Sequence, residues 1–314
     1  MRINRDRTDQ RFELDCDSGR SAASDGRLPD FLIIGAAKSG TTSVYQYLLR
    51  HPKVFLSTPK EPCFFSDDSI YARGEEWYRG LFREASESDI CGEATTDYAR
   101  WPNTPDVPSR IARVIPTAKL VYIMRHPVDR AYSWYGHEQR NRVTTDFESF
   151  LSVDSRAIYD SMYMRQIERY LRFFSRDQIH LMIFEDFTEM PDRELQELQY
   201  FLGLPLRKLT EEGLISANPG RGMTYARRQL SDALGKLAEK PGLSAMRNVI
   251  PKRYRTRVFW WLYHSWFGRR YASRHRQSMA PLTTETRREL LRTFEDSTSE
   301  LEEFLGRRLP EWHV

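Results

Sequence analysis

Several absences narrow what this chain can be. Cysteine is scarce: 314 residues contain three, Cys16, Cys63 and Cys91, odd in number and widely spaced. That set offers no disulfide framework and no CxxC metal pair, and a reducing compartment is the simpler expectation. No run of about 18 apolar residues occurs, which excludes a multi-span helical membrane protein. Neither sign of charge dominates, with 48 basic against 44 acidic side chains and a net charge of +4. This balance is too mild for a dedicated nucleic-acid binder and suits a protein with anionic ligands. The opening MRINRDRTDQRFELDCDSGR has charges throughout and no apolar core, so it does not read as a secretory signal. A soluble, cytoplasmic protein is the expectation. No clustered His, Cys and Asp asks for a metal. Internal repeats and Gly/Ser linkers are also missing.

What is present falls into a polar start and an ordered remainder. Residues 1–28 are rich in Asp, Arg and Ser without helical or strand period, and read as a flexible tail. Residues 29–314 read as a single domain. FLIIG, beginning at Phe31, is a short buried strand bounded by Gly. A Gly/Ser/Thr loop follows, then the helical pattern SVYQYLLRHP, ended by Pro52. Two further buried parallel strands are expected at KLVYIM, Lys119 to Met124, and QIHLMIF, Gln178 to Phe184. Helical stretches precede both; in YMRQIERYLRFF the apolar positions 163, 164, 167, 170, 171 and 174 make one face. Strands alternating with helices predict an α/β fold with a parallel sheet flanked by helices. A capped, charged helix over the last 30 residues ends at Gly306.

The strand–loop–helix at its start carries the chemistry. In GAAKSGTTS, Gly35 to Ser43, two glycines bracket four residues, as in the P-loop of NTPases. Backbone N–H groups at such a loop and helix start converge on an anion. The pattern departs from an ATP or GTP site at one point. Thr41, not lysine, follows the second glycine, and the lysine stands inside the loop as Lys38. The strand at 120–124 ends in Met124-Arg125 rather than in the acid that would hold magnesium. A P-loop kinase using ATP and magnesium is thereby disfavoured. It stays open as an alternative, as does a non-catalytic protein that binds a nucleotide or glycan.

Gly35–Ser43 resembles the 5′-phosphosulfate loop of sulfotransferases that use 3′-phosphoadenosine 5′-phosphosulfate (PAPS). RHPVDRAYSWY, Arg125 to Tyr135, is similar to the 3′-phosphate-binding strand and helix of that family. KEPCFF, Lys60 to Phe65, resembles the catalytic segment of its heparan-sulfate-type branch, and DRAYSWYGHEQR resembles the N-sulfotransferase domain of that branch. IERYLRFFSRDQIHLMIFEDF and the closing FLGRRLPEW are similar as well. The resemblance runs from about residue 30 to the end, with its motifs in order. It implies the sulfotransferase fold, a P-loop NTPase-like sheet. It also implies PAPS as co-substrate, no metal, and an acceptor that is a carbohydrate or small molecule.

The resemblance assigns roles by position. Sulfuryl transfer builds charge on the leaving phosphate oxygen, and a fixed cation there lowers the barrier. Lys38 is that cation. Ser39, Gly40, Thr41 and Thr42 supply amides and hydroxyls to the 5′-phosphate. Arg125, at a strand end where ligands of open α/β sheets gather, and Ser133, about two helical turns on, hold the 3′-phosphate. Glu61 is the general base, with Pro62, Phe64 and Phe65 expected to desolvate it and raise its pKa. The alternative is a plain ion pair with Lys60. His137 assists the base or orients the acceptor. Arg221, in NPGRGM, is the candidate for the family's Lys/Arg-Gly-rich adenine and phosphate loop.

Two features fit less simply. Where heparan 3-O-sulfotransferases carry a lysine, GEATTDY has Ala94, so one cation near the acceptor is missing. Residues 252–276 hold eight Lys/Arg, no Asp or Glu, and interleaved aromatics. Phe259, Leu262, Tyr263, Trp266 and Phe267 share a helical face, too short to span a bilayer. A core helix, an acceptor wall and a peripheral membrane contact are all compatible with this pattern.

Overall fold

The computed structural model describes residues 26–139, 145–207 and 282–314. The candidate Arg221, the basic aromatic segment 252–276, and nearly all of the polar start lie outside them. Chain description begins at Gly26, ahead of the first strand. Arg27 there pairs with Asp30 at 2.9 Å and donates to the Asp89 carbonyl at 2.9 Å.

Five parallel strands form one sheet in the order β2-β3-β1-β4-β5. They are β1 Phe31–Gly35, β2 Val54–Leu56, β3 Ile90–Ala94, β4 Lys119–Met124 and β5 Ile179–Ile183. Three match the strands expected from the sequence. β2 and β3 do not stand out there: β2 has three residues, and Gly92 and Glu93 interrupt β3.

Helices cover both faces. In chain order among the described residues these are α1 Thr41–Leu48, α2 Asp68–Tyr71, α3 Gly74–Gly80, α4 Val107–Val114, α5 Pro127–Glu138 and α6 Phe147–Val153. There follow α7 Arg156–Tyr159, α8 Tyr163–Leu171, α9 Phe184–Glu189, α10 Pro191–Leu202 and α11 Thr284–Leu305. Short 3-10 turns include Thr96–Ala99 and Pro310–His313.

The two cores follow from strand alternation. Leu32, Ile34, Leu120, Tyr122 and Met124 face one side, packing with Tyr163, Ile167 and Tyr170 of α8 and with Trp312. Phe31, Ile33, Val121 and Ile123 face the other, packing with Val44 and Leu48 of α1 and Leu195 and Leu198 of α10. Strands buried on both faces need no polar alternation, so β1 and β4 read as continuous apolar runs. α11 is capped as its sequence suggests. Thr283 accepts from the Thr286 amide, and Gly306 ends the helix with a left-handed backbone.

β1 lies between β3 and β4, so the chain leaves it at the point where strand order reverses. The C-terminal edge at such a point is where open α/β sheets bind ligands. The loops after all five strands open on that edge.

Candidate active site

The loop after β1 reaches α1 through two left-handed residues, Lys38 (φ 73°) and Gly40 (φ 94°). Gly40 has a second constraint: a Cβ there would meet the Phe184 ring at 2.7 Å. Gly40 is also the N-cap of α1, with no side-chain capping bond. The first-turn amides at Thr41 and Thr42 thus have no intrahelical acceptor, the arrangement that favours an anion. The Ser39 amide donates to the Ala36 carbonyl at 3.2 Å, and its fully buried hydroxyl meets no hydrogen-bond partner among the described residues.

Arg125 follows β4 directly. Its Nη1 donates to the Lys38 carbonyl at 3.4 Å, and its guanidinium lies 5.0 Å over the Phe184 ring. The strand-end arginine and the loop are therefore in contact. Its Nε is buried and meets no hydrogen-bond partner among the described residues. A buried guanidinium N–H without an acceptor fits an anionic ligand. Its backbone is held from α8: Tyr163 donates its hydroxyl to the Arg125 carbonyl at 2.6 Å and accepts from the Arg125 amide at 3.3 Å. Burial pushes the Tyr163 phenol up to about 12, so it keeps its proton. Glu185, at the start of α9, accepts from the His126 amide at 3.0 Å and from Trp312 at 3.2 Å, fixing the entry to α5.

α5 begins at Pro127, as its position after Arg125 suggests. Ser133 and His137 are half-buried and one turn apart, hence on the same face. His137 packs 5.3 Å from the Trp134 ring. Trp134 also carries the guanidinium of Arg100 at 4.8 Å and that of Arg156 at 5.0 Å. Arg130, fully buried in the same helix, donates to Ser161 at 2.5 Å and to the carbonyls of Arg156 and Ala157 at 2.8 Å.

Glu61 stands across the sheet edge, after β2. Its amide donates to the Ala94 carbonyl at 3.0 Å. Its Oε1 accepts from Lys60 at 3.0 Å and from the Thr96 hydroxyl at 3.4 Å. Glu61 has φ 63°, and Cys63 follows with φ 57°. Among the described residues three non-glycine positions are left-handed, and Lys38 and Glu61 are two of them. Such backbone costs roughly 1–3 kcal/mol and concentrates at functional sites. The aromatic shield expected for Glu61 is not there. Phe64 and Phe65 are buried at 1% and 0% exposure, and Phe64 stacks on Tyr78 at 4.3 Å. The turn at Cys63 sends them into the core, while the Glu61 side chain stays 42% exposed and ion-paired. A chain of contacts then links Glu61 to His137: Glu61 to Thr96, Asp97 to Arg100 at 3.0 Å, Arg100 to Trp134, and Trp134 to His137.

One acidic residue escapes the sequence reading. Glu93, in β3 beside β1, is fully buried. Its Oε1 accepts from Tyr78 at 2.6 Å and Tyr98 at 2.8 Å, and its Oε2 from Thr95 at 2.9 Å. Burial pushes it up to about 7 against these three bonds. It occupies the strand-end place of a magnesium-binding acid, but both oxygens are taken by hydroxyl donors. The sequence signal was the acid in GEATTDY. Without a recognisable β3 around it, that acid has no strand end to mark. Ala94, next to it, is fully buried and brings no cation to the edge.

These features match a known family. The model of the sulfotransferase domain family covers residues 28–217, and the chain belongs to that family. It is 31% identical over 198 residues to mouse bifunctional heparan sulfate N-deacetylase/N-sulfotransferase 4, covering 56% of this chain and 22% of that protein. It is 33% identical over 195 residues to mouse heparan sulfate glucosamine 3-O-sulfotransferase 5, covering 58% and 55%. The matched stretch thus spans between a fifth and about half of these relatives. A crystal structure of a sulfotransferase from Alicyclobacillus acidocaldarius shares the fold, with a TM-score of 0.64 and 24% identity. It covers 92% of this chain and 100% of that one. Among the described residues, no helix is long and apolar enough to cross a membrane.

Proposed function

We propose that this chain is a PAPS-dependent sulfotransferase acting on a hydroxyl or amine of a carbohydrate or glycosylated small molecule. The observation that carries the donor assignment is Arg125. Its guanidinium contacts the phosphate loop, and its buried Nε meets no partner among the described residues. A nucleotide bearing phosphate at both 3′ and 5′ positions has one group for the loop and another for the arginine. The residues fit that donor: open amides at Thr41 and Thr42, Lys38 within the loop, and Arg125 with Ser133 beyond β4.

Bound PAPS supplies an activated sulfuryl group, whose departure leaves charge on a 5′-phosphate oxygen. Lys38 is assigned the cation that compensates this charge. Ser39, Gly40, Thr41 and Thr42 supply amides and hydroxyls to the 5′-phosphate. Glu61 takes the proton of the acceptor hydroxyl or amine. Its carboxylate pairs with Lys60 at 3.0 Å. Thr96 orients that carboxylate, and His137 is assigned to the acceptor side with Trp134. Arg221 is assigned to the nucleotide by resemblance alone. The carbohydrate acceptor is suggested by the relatives that act on heparan sulfate.

Calorimetric titration with 3′,5′-ADP, against ADP and ATP–magnesium, tests the reading. Tight binding of 3′,5′-ADP alone is expected. Preference for ATP–magnesium would replace it with a kinase. Normal sulfuryl transfer by Glu61→Gln would remove Glu61 as base without touching the donor assignment.

A further inference from the structure

We propose that Glu93 is a positioning residue: its buried carboxylate aims the hydroxyls of Thr95 and Tyr98 at the segment carrying Glu61 and fixes that segment against the sheet. For catalysis, this rests on the reading of Glu61 as base.

Three backbone amides anchor the turn from Glu61 to Phe65. Glu61 N–H donates to the Ala94 carbonyl at 3.0 Å. Cys63 N–H donates to the Thr95 hydroxyl at 3.4 Å, and Phe65 N–H to the Tyr98 hydroxyl at 3.3 Å. The first acceptor is a carbonyl and needs no orientation. The other two are hydroxyls, which rotate. Each has one proton, and each spends it on Glu93: Thr95 on Oε2 at 2.9 Å, Tyr98 on Oε1 at 2.8 Å. With the proton committed there, a lone pair is left for the amide. A carboxylate can do this for both at once, because it is acceptor-only.

The left-handed backbone at Glu61 and Cys63 makes such anchoring necessary. Two successive strained turns hold only where their surroundings over-determine them. Glu93 supplies this from beneath, without contacting Glu61. An amide at position 93 would present donors where an oxygen now accepts. At least one hydroxyl would then turn its proton away, toward the segment's own N–H.

Tyr78 is an internal control. It donates to the same Oε1 at 2.6 Å, but no hydrogen bond joins its hydroxyl to residues 61–65. Removing that hydroxyl while keeping the ring, on which Phe64 stacks, should weaken the fold without freeing the turn.

The test compares Glu93→Gln, Thr95→Val and Tyr78→Phe with the parent at pH 8. Hydrogen exchange by mass spectrometry is read over residues 61–66 and over the phosphate loop, together with kcat and the Kd for 3′,5′-ADP. Glu93→Gln and Thr95→Val should speed exchange at 61–66 by about tenfold or more and lower kcat by a similar factor. Loop exchange and the Kd should stay within about twofold. Tyr78→Phe should leave exchange at 61–66 unchanged. Thr95→Val preserves side-chain shape, so it serves even if Glu93→Gln does not fold. Unchanged exchange at 61–66, or faster exchange spread evenly over the sheet, would overturn the proposal. If Glu61→Gln turns over normally, the base assignment falls, while the exchange result decides the anchoring separately.

Discussion

The Tyr163 hydroxyl holds both backbone groups of Arg125, donating to its carbonyl at 2.6 Å and accepting from its amide at 3.3 Å. One side chain from α8 thus sets the direction in which the strand-end arginine leaves β4. Tyr163→Phe keeps the ring and removes the clamp. Leaving those backbone groups unpaired should cost about 1–3 kcal/mol of stability, read as a lowered urea midpoint. Affinity for 3′,5′-ADP should fall about tenfold with it. Normal affinity in this variant would show that Arg125 keeps its direction by other means.

Arg125→Ala removes the cation itself. A charge-assisted hydrogen bond is worth about 1.5–3 kcal/mol, so 3′,5′-ADP should bind roughly ten- to a hundredfold more weakly. Binding of 5′-AMP, which lacks the second phosphate, should change little. Equal losses for both nucleotides would contradict the assignment.

Lys60 lies 3.0 Å from Glu61 and holds that carboxylate from one side. The pair is partly exposed, so Lys60→Met should lower kcat/KM by less than about tenfold. A larger loss would give Lys60 a part in the reaction beyond this pairing.

Glu93 makes a pH prediction for stability. Its folded pKa is raised to about 7, mainly by burial. The folded state therefore holds the proton more tightly than the unfolded one. Its contribution is fully present below about 4.5 and is lost as pH rises toward 7. The groups facing it do not titrate in this window. Burial raises Tyr78, Tyr98 and Tyr170, and pushes Cys63 up to about 12. Relative to Glu93→Gln, the parent should thus lose stability between pH 4.5 and 7, by at most about 3 kcal/mol. Urea unfolding at pH 5, 6 and 7 measures this. Parallel pH profiles for the two proteins would remove the raised pKa.

β1 and β4 were legible because they are buried on both faces and stand out as apolar runs, and β5, half-buried at His180 and Leu181, still carries Ile179, Leu181, Met182 and Ile183. β2 and β3 belong to the same sheet, but their pairing with distant strands, rather than local pattern, makes them strands. Val54–Leu56 is too short to show a period, and Gly92 and Glu93 interrupt β3. The candidates Lys38, Arg125 and Glu61 stand in motifs that the sequence shows directly. Their support does not. Tyr163 lies 38 residues from Arg125 in the chain, and Tyr98 bonds an amide 33 residues before it. The Phe64–Phe65 pair misled because adjacency to Glu61 in sequence says nothing about which way a left-handed turn at Cys63 sends the next side chains.

On the proposed reading, the strand order also separates the donor groups from the acceptor groups. Glu61 and Thr96 follow β2 and β3, and Glu93 lies within β3, on one flank of β1, while Arg125, Phe184 and Glu185 follow β4 and β5 on the other. The two flanks meet at Trp134, where Arg100 arrives from one and Arg156 from the other. A chimera that imports residues 54–106 from a relative should inherit its acceptor choice and keep the host's nucleotide. The graft will seat only if the incoming block brings its own cation to lie on Trp134.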